Sequence, residues 1–292
     1  MIIVLTGCTG SGKSALAIEL AKALHGEIIN ADAFQVYQEL NIATAKPTLA
    51  MRQEVPHLLF DFVPLTSNYD VATYQKDLRK ALAEVLKRGH TPIIAGGTGL
   101  YIRAGLYDYK FEDFPKVDLS SYQKLDDGAL YAELQKRDPV EAAKLHPHNR
   151  VRVLRSLEIC LSSGQSKTSL LAEQKHQPLY DVCFFGLDSE RENLYPAVEK
   201  RVDAMFAEGL VEEDKRLIDK YGRTPHAFSA IGVKELYPYF DGQISLEEAK
   251  NVIKENTRHY VKRQETFFRH QFEIHWIHSL GDILNYLDKT HE

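Results

Sequence analysis

Ile2-Ile3-Val4-Leu5 is an apolar run that leads directly into Gly7-Cys8-Thr9-Gly10-Ser11-Gly12-Lys13-Ser14, and residues 15–24 then carry apolar side chains at helical spacing. A strand, a G-x-x-x-x-G-K-[ST] loop and a helix in that order confine the start of the chain to a phosphate-binding βα unit. Glycines let successive backbone N–H groups converge on an anion, Lys13 adds positive charge, and the helix N-terminus contributes its dipole. Gly7, Thr9, Gly10, Ser11, Gly12, Lys13 and Ser14 are therefore the expected contacts of a diphosphate, with the Ser14 hydroxyl available to Mg²⁺. The loop does not specify which diphosphate.

Alternation continues behind the loop. Residues 27–31 read as a second strand, 57–62 as a third, 71–88 as an amphipathic helix and 91–95 as a further buried strand. Strands alternating with helices predict an α/β fold with a parallel, doubly wound sheet of the P-loop NTPase-like kind. From 111 to 180 the pattern becomes helical and polar, with Leu130, Leu134, Val140, Leu145, Val151, Leu154 and Leu157 as its apolar positions and no buried strand run. The expected organisation is a P-loop core of residues 1–110 and 181–292, with C-terminal helices, interrupted by a helical insertion domain at 111–180. Residues 182–187 resume the sheet, helices follow at 194–206 and 246–268, and 274–277 forms a late strand.

A chain of 292 residues can bury a core of this kind. Its formal charge of −5 gives no global attraction to nucleic acid, so any such binding has to come from a local basic face. Cys8, Cys160 and Cys183 are odd in number, widely spaced and without a C-x-x-C pair, which predicts three free thiols and argues against a zinc site or disulfide framework. No apolar run is long enough to span a bilayer, and the first strand begins at once, so a cytoplasmic protein is expected. Nothing in the sequence demands more than a monomer.

The strand at 91–95 ends in Gly96-Gly97-Thr98-Gly99, where nucleotide hydrolases of this fold usually carry a Mg²⁺-holding Asp. Such a turn would let backbone and the Thr98 hydroxyl approach a leaving diphosphate; it could equally be a plain turn with Thr98 capping the next helix. The carboxylate that does end a strand is Asp32, in Asn30-Ala31-Asp32-Ala33-Phe34-Gln35-Val36-Tyr37. Carboxyl ends of a doubly wound sheet face one crevice, which puts Asp32 near the loop ligand as a general base, with helix N-cap or outer Mg²⁺ ligand as competing roles.

Taken in order, these motifs are joined by Ala43-Thr44-Ala45-Lys46-Pro47, Val55-Pro56-His57, Gly99-Leu100-Tyr101, His146-Pro147 with residues 152–158, Ala230-Ile231-Gly232-Val233-Lys234-Glu235, and Thr257-Arg258 with Lys262-Arg263-Gln264. The set resembles the bacterial tRNA dimethylallyltransferases, also called tRNA isopentenyltransferases or IPP transferases, from Ile2 to about Arg269. The resemblance implies transfer of a dimethylallyl group from dimethylallyl diphosphate to N6 of adenosine-37 beside the anticodon of tRNA, with diphosphate released and Mg²⁺ as cofactor. It gives Asp32, Thr98 and Lys13 the catalytic roles, and adds Lys234 as the nearest downstream basic contact for the diphosphate. It places Asp32, Ala33, Phe34 and Gln35 against the flipped adenosine and its neighbours, where Gln35 offers both a donor and an acceptor. It also implies tRNA contacts from Arg152, Arg155, Arg258, Lys262 and Arg263, with the insertion meeting the anticodon stem-loop.

Two basic runs stand behind those contacts. His146, His148, Arg150, Arg152 and Arg155 crowd one helix start, and Lys254, Arg258, Lys262 and Arg269 recur near helical spacing with His259 and Arg263 alongside. A solvated charged face is the competing explanation. The chain departs from the family pattern at Ala33, where Ser is usual, at Cys8, where Pro is common, and at Ser229 and Val233; its insertion is also short. A P-loop small-molecule or nucleotide kinase, and a non-catalytic RNA-binding protein using the loop as a nucleotide sensor, are the alternative functions.

Overall fold

The computed structural model describes residues 1–112, 114–174, 176–188 and 191–290, with the side chains of 191–193 excepted. Strand β1 (Ile2–Thr6) is wholly buried and delivers the chain into the loop, after which helix α1 (Lys13–Ala23) begins directly at the lysine. Gly10 and Gly12 hold left-handed backbone, φ 87° and 85°, which a side chain would oppose. Strand β2 (Gly26–Asn30), helix α2 (Leu49–Glu54), strand β3 (His57–Leu58) and helix α3 (Val71–Lys87) follow, α3 being capped by the Asp70 carboxylate on the Thr73 amide. Strand β4 (Thr91–Gly96) and helix α4 (Gly99–Leu106) complete the first segment. The third strand is far shorter than the expected 57–62. Leu59 and Asp61 take left-handed φ of 61° and 58°, which ends the extended run.

Residues Tyr107–Leu179 form a compact unit of their own, close to the predicted 111–180. Helices α5 (Ser120–Gln123), α6 (Asp127–Arg137), α7 (Pro139–Ala142), α8 (Arg150–Ser163) and α9 (Lys167–Ala172) surround a core of Leu130, Leu134, Ala142, Val153 and Leu157. The predicted apolar set is out of phase at two positions. Val140 is exposed because α7 turns Glu141 and Ala142 inward, and Val151 because α8 turns Val153, Leu157 and Cys160 inward.

The second segment of the other unit, which comprises Met1–Leu106 and Tyr180–Glu292, opens with strand β5 (Val182–Leu187). Helices α10 (Arg191–Ala207), α11 (Leu210–Tyr221), α12 (Tyr237–Phe240) and α13 (Leu246–Gln271), strand β6 (His275–Ile277) and helix α14 (Leu280–Thr290) complete it. A capping box of Ser245 and Glu248 starts α13, the longest helix. All six strands run parallel in the order β3-β2-β4-β1-β5-β6. Right-handed crossovers then put α1 and α3 on opposite faces, since β1 to β2 and β3 to β4 traverse the sheet in opposite senses. The doubly wound, P-loop NTPase-like architecture agrees with the sequence expectation. Parallel strands bring the carboxyl ends of β1, β2 and β4, hence the loop, Asp32 and Thr98, to one edge.

Cys8, Cys160 and Cys183 are free thiols. No helix among the described residues is long and apolar enough to cross a membrane.

Candidate active site

Asp32 leaves β2 in a turn that it stabilises itself. Its Oδ1 accepts from the Phe34 and Gln35 amides at 2.9 and 3.3 Å, and its own amide donates to Asn30 Oδ1 at 2.9 Å. Oδ1 is thereby taken up in capping the turn. Oδ2 has no hydrogen-bond partner among the described residues, so it is the atom open to a ligand. The neighbouring Ala33 amide donates to Thr98 Oγ1 at 3.0 Å, and the Thr98 amide donates to the Ala31 carbonyl at 2.9 Å. Thr98 thus locks the Asp32 turn to the end of β4, instead of using its hydroxyl to cap α4. The glycines around it serve packing: a Cβ at Gly96 would strike the Ala31 backbone, at Gly97 the Gln264 side chain, and at Gly99 the Phe267 ring.

Two cavities meet at this turn and share Thr9, Asp32 and Arg201. The smaller, about 60 Å³, is lined by Lys13, Ser14, Gly96 and Gly97. The larger, about 250 Å³, is bounded by Phe34, Met205, Lys234, Tyr260 and Arg263. Phe34 stacks on His226 with ring centroids 6.4 Å apart. Burial, then the charge of Arg201, pushes the Lys13 ammonium below its usual range while Asp32 acts in the opposite sense; burial likewise depresses Arg201. Two half-buried cations that repel each other beside one carboxylate make a site that an anion between them would relieve. The buried Thr6 and Ser11 hydroxyls lack protein partners among the described residues and add two more donors at the loop.

Arg201 escaped the sequence reading. It follows Val198 by three residues on the stripe Leu194, Val198, Val202 and Met205, all of them buried. A charge at a core-facing helical position was the available signal. Lys234, expected against the diphosphate, is exposed and lines only the larger cavity; Arg201 is the basic group that faces Lys13. The donor end of Gln35 is already engaged, its Nε2 donating to the Thr44 and Ala45 carbonyls at 3.0 and 3.2 Å, which leaves its Oε1 as the end open to a ligand. Tyr37 is fully buried and belongs to the core. Ser229, where the family pattern is not kept, donates its hydroxyl to the His226 carbonyl, and Val233 is core.

The long basic stripe on α13 is largely paired. Lys254 bonds Asp203 at 2.8 Å, Arg258 bonds Glu199 at 2.7 Å, and Arg269 meets Glu265 and Asp188. Lys262 and Arg263 remain exposed, with the Arg263 guanidinium over the Tyr260 ring. At and just before α8, Arg150 and His148 bind Asp127 and Arg155 binds Glu158, which leaves Arg152 as the arginine of that run without a carboxylate partner among the described residues.

Hard oxygen donors fit Mg²⁺: the Ser14 hydroxyl and the free Oδ2 of Asp32 lie in the same small cavity. Among the described residues no group of three or more His, Cys, Asp or Glu side chains could hold a metal ion, so an ion here would have to take most of its ligands from a bound phosphate and water.

The sheet order and the loop define a P-loop NTPase-like protein with a helical insertion. The sequence profile of the IPP transferase family matches residues 35–271. A tRNA dimethylallyltransferase of Anoxybacillus flavithermus is 44% identical over 97% of this chain and 92% of its own length. Among solved structures, the tRNA delta(2)-isopentenylpyrophosphate transferase of Staphylococcus epidermidis superposes with a TM-score of 0.74 at 36% identity, covering 99% of both chains. A eukaryotic dimethylallyltransferase, described as acting on tRNA, superposes with a TM-score of 0.80 at 32% identity over 91% of this chain and 69% of that one. The chain belongs to the IPP transferase family.

Proposed function

We propose that this protein transfers the dimethylallyl group of dimethylallyl diphosphate to N6 of adenosine-37 in tRNA, giving N6-dimethylallyladenosine and diphosphate. The observation that carries the reading is the meeting of two cavities at Asp32: one holds Lys13, Ser14 and Arg201, and the other is larger and lined by Phe34, Met205 and Tyr260. Donor and acceptor can then approach the carboxylate from opposite sides. Family membership and the names of its relatives support tRNA as the acceptor and dimethylallyl as the group transferred, and the phosphate loop supports a diphosphate as its donor.

In this reading Lys13, Arg201 and the loop amides hold the diphosphate, and they neutralise the charge that builds on it as the allylic C–O bond breaks. The lone pair of adenine N6, weakly nucleophilic because it is delocalised into the ring, forms the new C–N bond. Asp32 Oδ2 orients N6 and takes its proton. Mg²⁺, carried on the diphosphate and touching Ser14, would add Lewis-acid stabilisation of the leaving group. Base extrusion from an anticodon loop costs only a few kcal/mol, and Phe34 offers a ring for the extruded base to meet. Arg152, Arg155, Lys262 and Arg263 are the proposed phosphate-backbone contacts.

The test incubates the protein and Mg²⁺ with unmodified tRNA, in parallel with prenyl-labelled dimethylallyl diphosphate and with γ-labelled ATP. Prenyl label in the RNA, abolished in Asp32→Ala, is the expected result. Label leaving only ATP would assign the loop to a kinase and overturn the proposal.

A further inference from the structure

Gln264 lies on α13, is only 4% exposed, and uses both ends of its amide. Oε1 accepts from the Thr9 amide at 3.2 Å, and Nε2 donates to the Gly97 carbonyl at 3.0 Å. One side chain therefore ties the phosphate loop after β1 to the turn after β4, and no other side chain among the described residues bridges these two segments by hydrogen bonds to both. The donor and acceptor assignment is forced: rotating the amide would face N–H against the Thr9 N–H and oxygen against the Gly97 oxygen. Tyr260, one helical turn earlier, borders the same site, and one turn of α13 is joined to the loop a second time by the Cys8 thiol, which donates to the Val261 carbonyl at 3.8 Å. Gly97 lacks a Cβ because the Gln264 amide fills that space.

We infer that Gln264 is a positioning residue that fixes the phosphate loop relative to the Thr98 turn, and so sets Lys13 against Asp32 before substrate arrives. A buried amide is tolerated only with both ends paired, so the two loop conformations that supply its partners are held together. The Thr9 amide is consequently committed to Gln264, and the anion is received by the amides and side chains that follow it. Gln264 touches no substrate in this scheme; it acts through Thr9 and Gly97. The inference rests on the phosphate-loop reading of the site, not on which group is transferred.

Gln264→Met keeps the side-chain length and removes both hydrogen bonds, and Gln264→Glu keeps an acceptor for Thr9 while setting a second oxygen against the Gly97 carbonyl. Affinity for inorganic diphosphate with Mg²⁺, read by calorimetry on the intact protein well below its melting temperature, should weaken about tenfold or more in Gln264→Met. The KM for the prenyl donor should rise with it, while affinity for tRNA stays within about twofold of the parent. Gln264→Glu should fall between the two. A folded Gln264→Met that binds diphosphate as the parent does would reduce Gln264 to a packing residue and overturn the inference. The parent itself supplies a second reading free of any folding problem: the Thr9 amide should exchange with solvent far more slowly than an open loop amide, and rapid exchange there would also overturn it. If the parent transfers no prenyl group but shows both behaviours, the substrate assignment falls and the role of Gln264 stands.

Discussion

The Ala33 amide donates to Thr98 Oγ1 at 3.0 Å, so the turn that carries Asp32 is anchored to the end of β4 by a side chain 65 residues away. Thr98→Val, which keeps the shape and deletes the acceptor, should let that turn drift and lower the single-turnover rate by up to about 100-fold, the scale of a misplaced reacting group. Thr98→Ser should retain most of the rate. Equal rates in Thr98→Val and the parent would show that the anchor does not matter to chemistry.

Asp32→Asn separates the two oxygens. An asparagine Oδ1 still accepts from Phe34 and Gln35, so thermal stability should hold, but no base remains and the chemical step should fall by roughly 10²–10⁴-fold. Asp32→Ala should lose both the rate and part of the stability. A single-turnover rate unchanged in Asp32→Asn would leave Asp32 a capping residue only.

Arg201 and Lys234 make opposed predictions about the donor side. Arg201 shares the small cavity with Lys13, whereas Lys234 does not. Arg201→Ala should depress turnover by about 10²-fold or more, as loss of a charge-stabilising donor does. Lys234→Ala should act mainly on the acceptor KM. Diphosphate titrations of both variants discriminate them, and a larger loss in Lys234→Ala would restore the sequence-based assignment.

Features written in consecutive residues were legible in the sequence. The loop, its flanking strand and helix, and the parallel sheet all follow from local pattern, and Asp32 could be placed at the crevice by topology alone. What was not legible depends on tertiary partners. No local signal says that Glu199 and Asp203 neutralise Arg258 and Lys254, or that Gln264 reaches two loops. The third strand failed because left-handed residues at Leu59 and Asp61 interrupt an otherwise apolar run. Arg201 was hidden because its helix reads as amphipathic unless the one charged residue on the apolar stripe is weighed.

The pairing of surface charges predicts which ones RNA can feel. Arg152 and Lys262 have no carboxylate partner among the described residues, while Arg155 and Arg258 already do. Replacing Arg152 or Lys262 by Ala should reduce the slope of log K against log salt for tRNA binding by about one each. Arg155→Ala and Arg258→Ala should change it less. Equal slopes across all four variants would mean the intramolecular pairs open on binding.

Asp214 on α11 sets a pH limit on the fold. Its carboxyl is fully buried, and neither oxygen has a hydrogen-bond partner among the described residues. Burial, followed by the charges of Glu213 and Glu235, pushes it up from 3.8 to about 8. An acid whose folded pKa lies above its unfolded value binds more protons in the native state throughout the interval between them. Asp214 therefore makes stability decline as pH rises from about 4 toward about 8, with no further loss above the folded value. Neighbouring Glu213 accepts from the Asn41, Ile42 and Ala43 amides, and Ala43 and Thr44 line the larger cavity, so the buried acid stands next to the carboxylate that holds one wall of that cavity. Asp214→Asn, neutral at every pH, should raise the melting temperature at pH 8 more than at pH 5 and flatten the profile between them. Parallel profiles for the two proteins would show that Asp214 is not the group responsible.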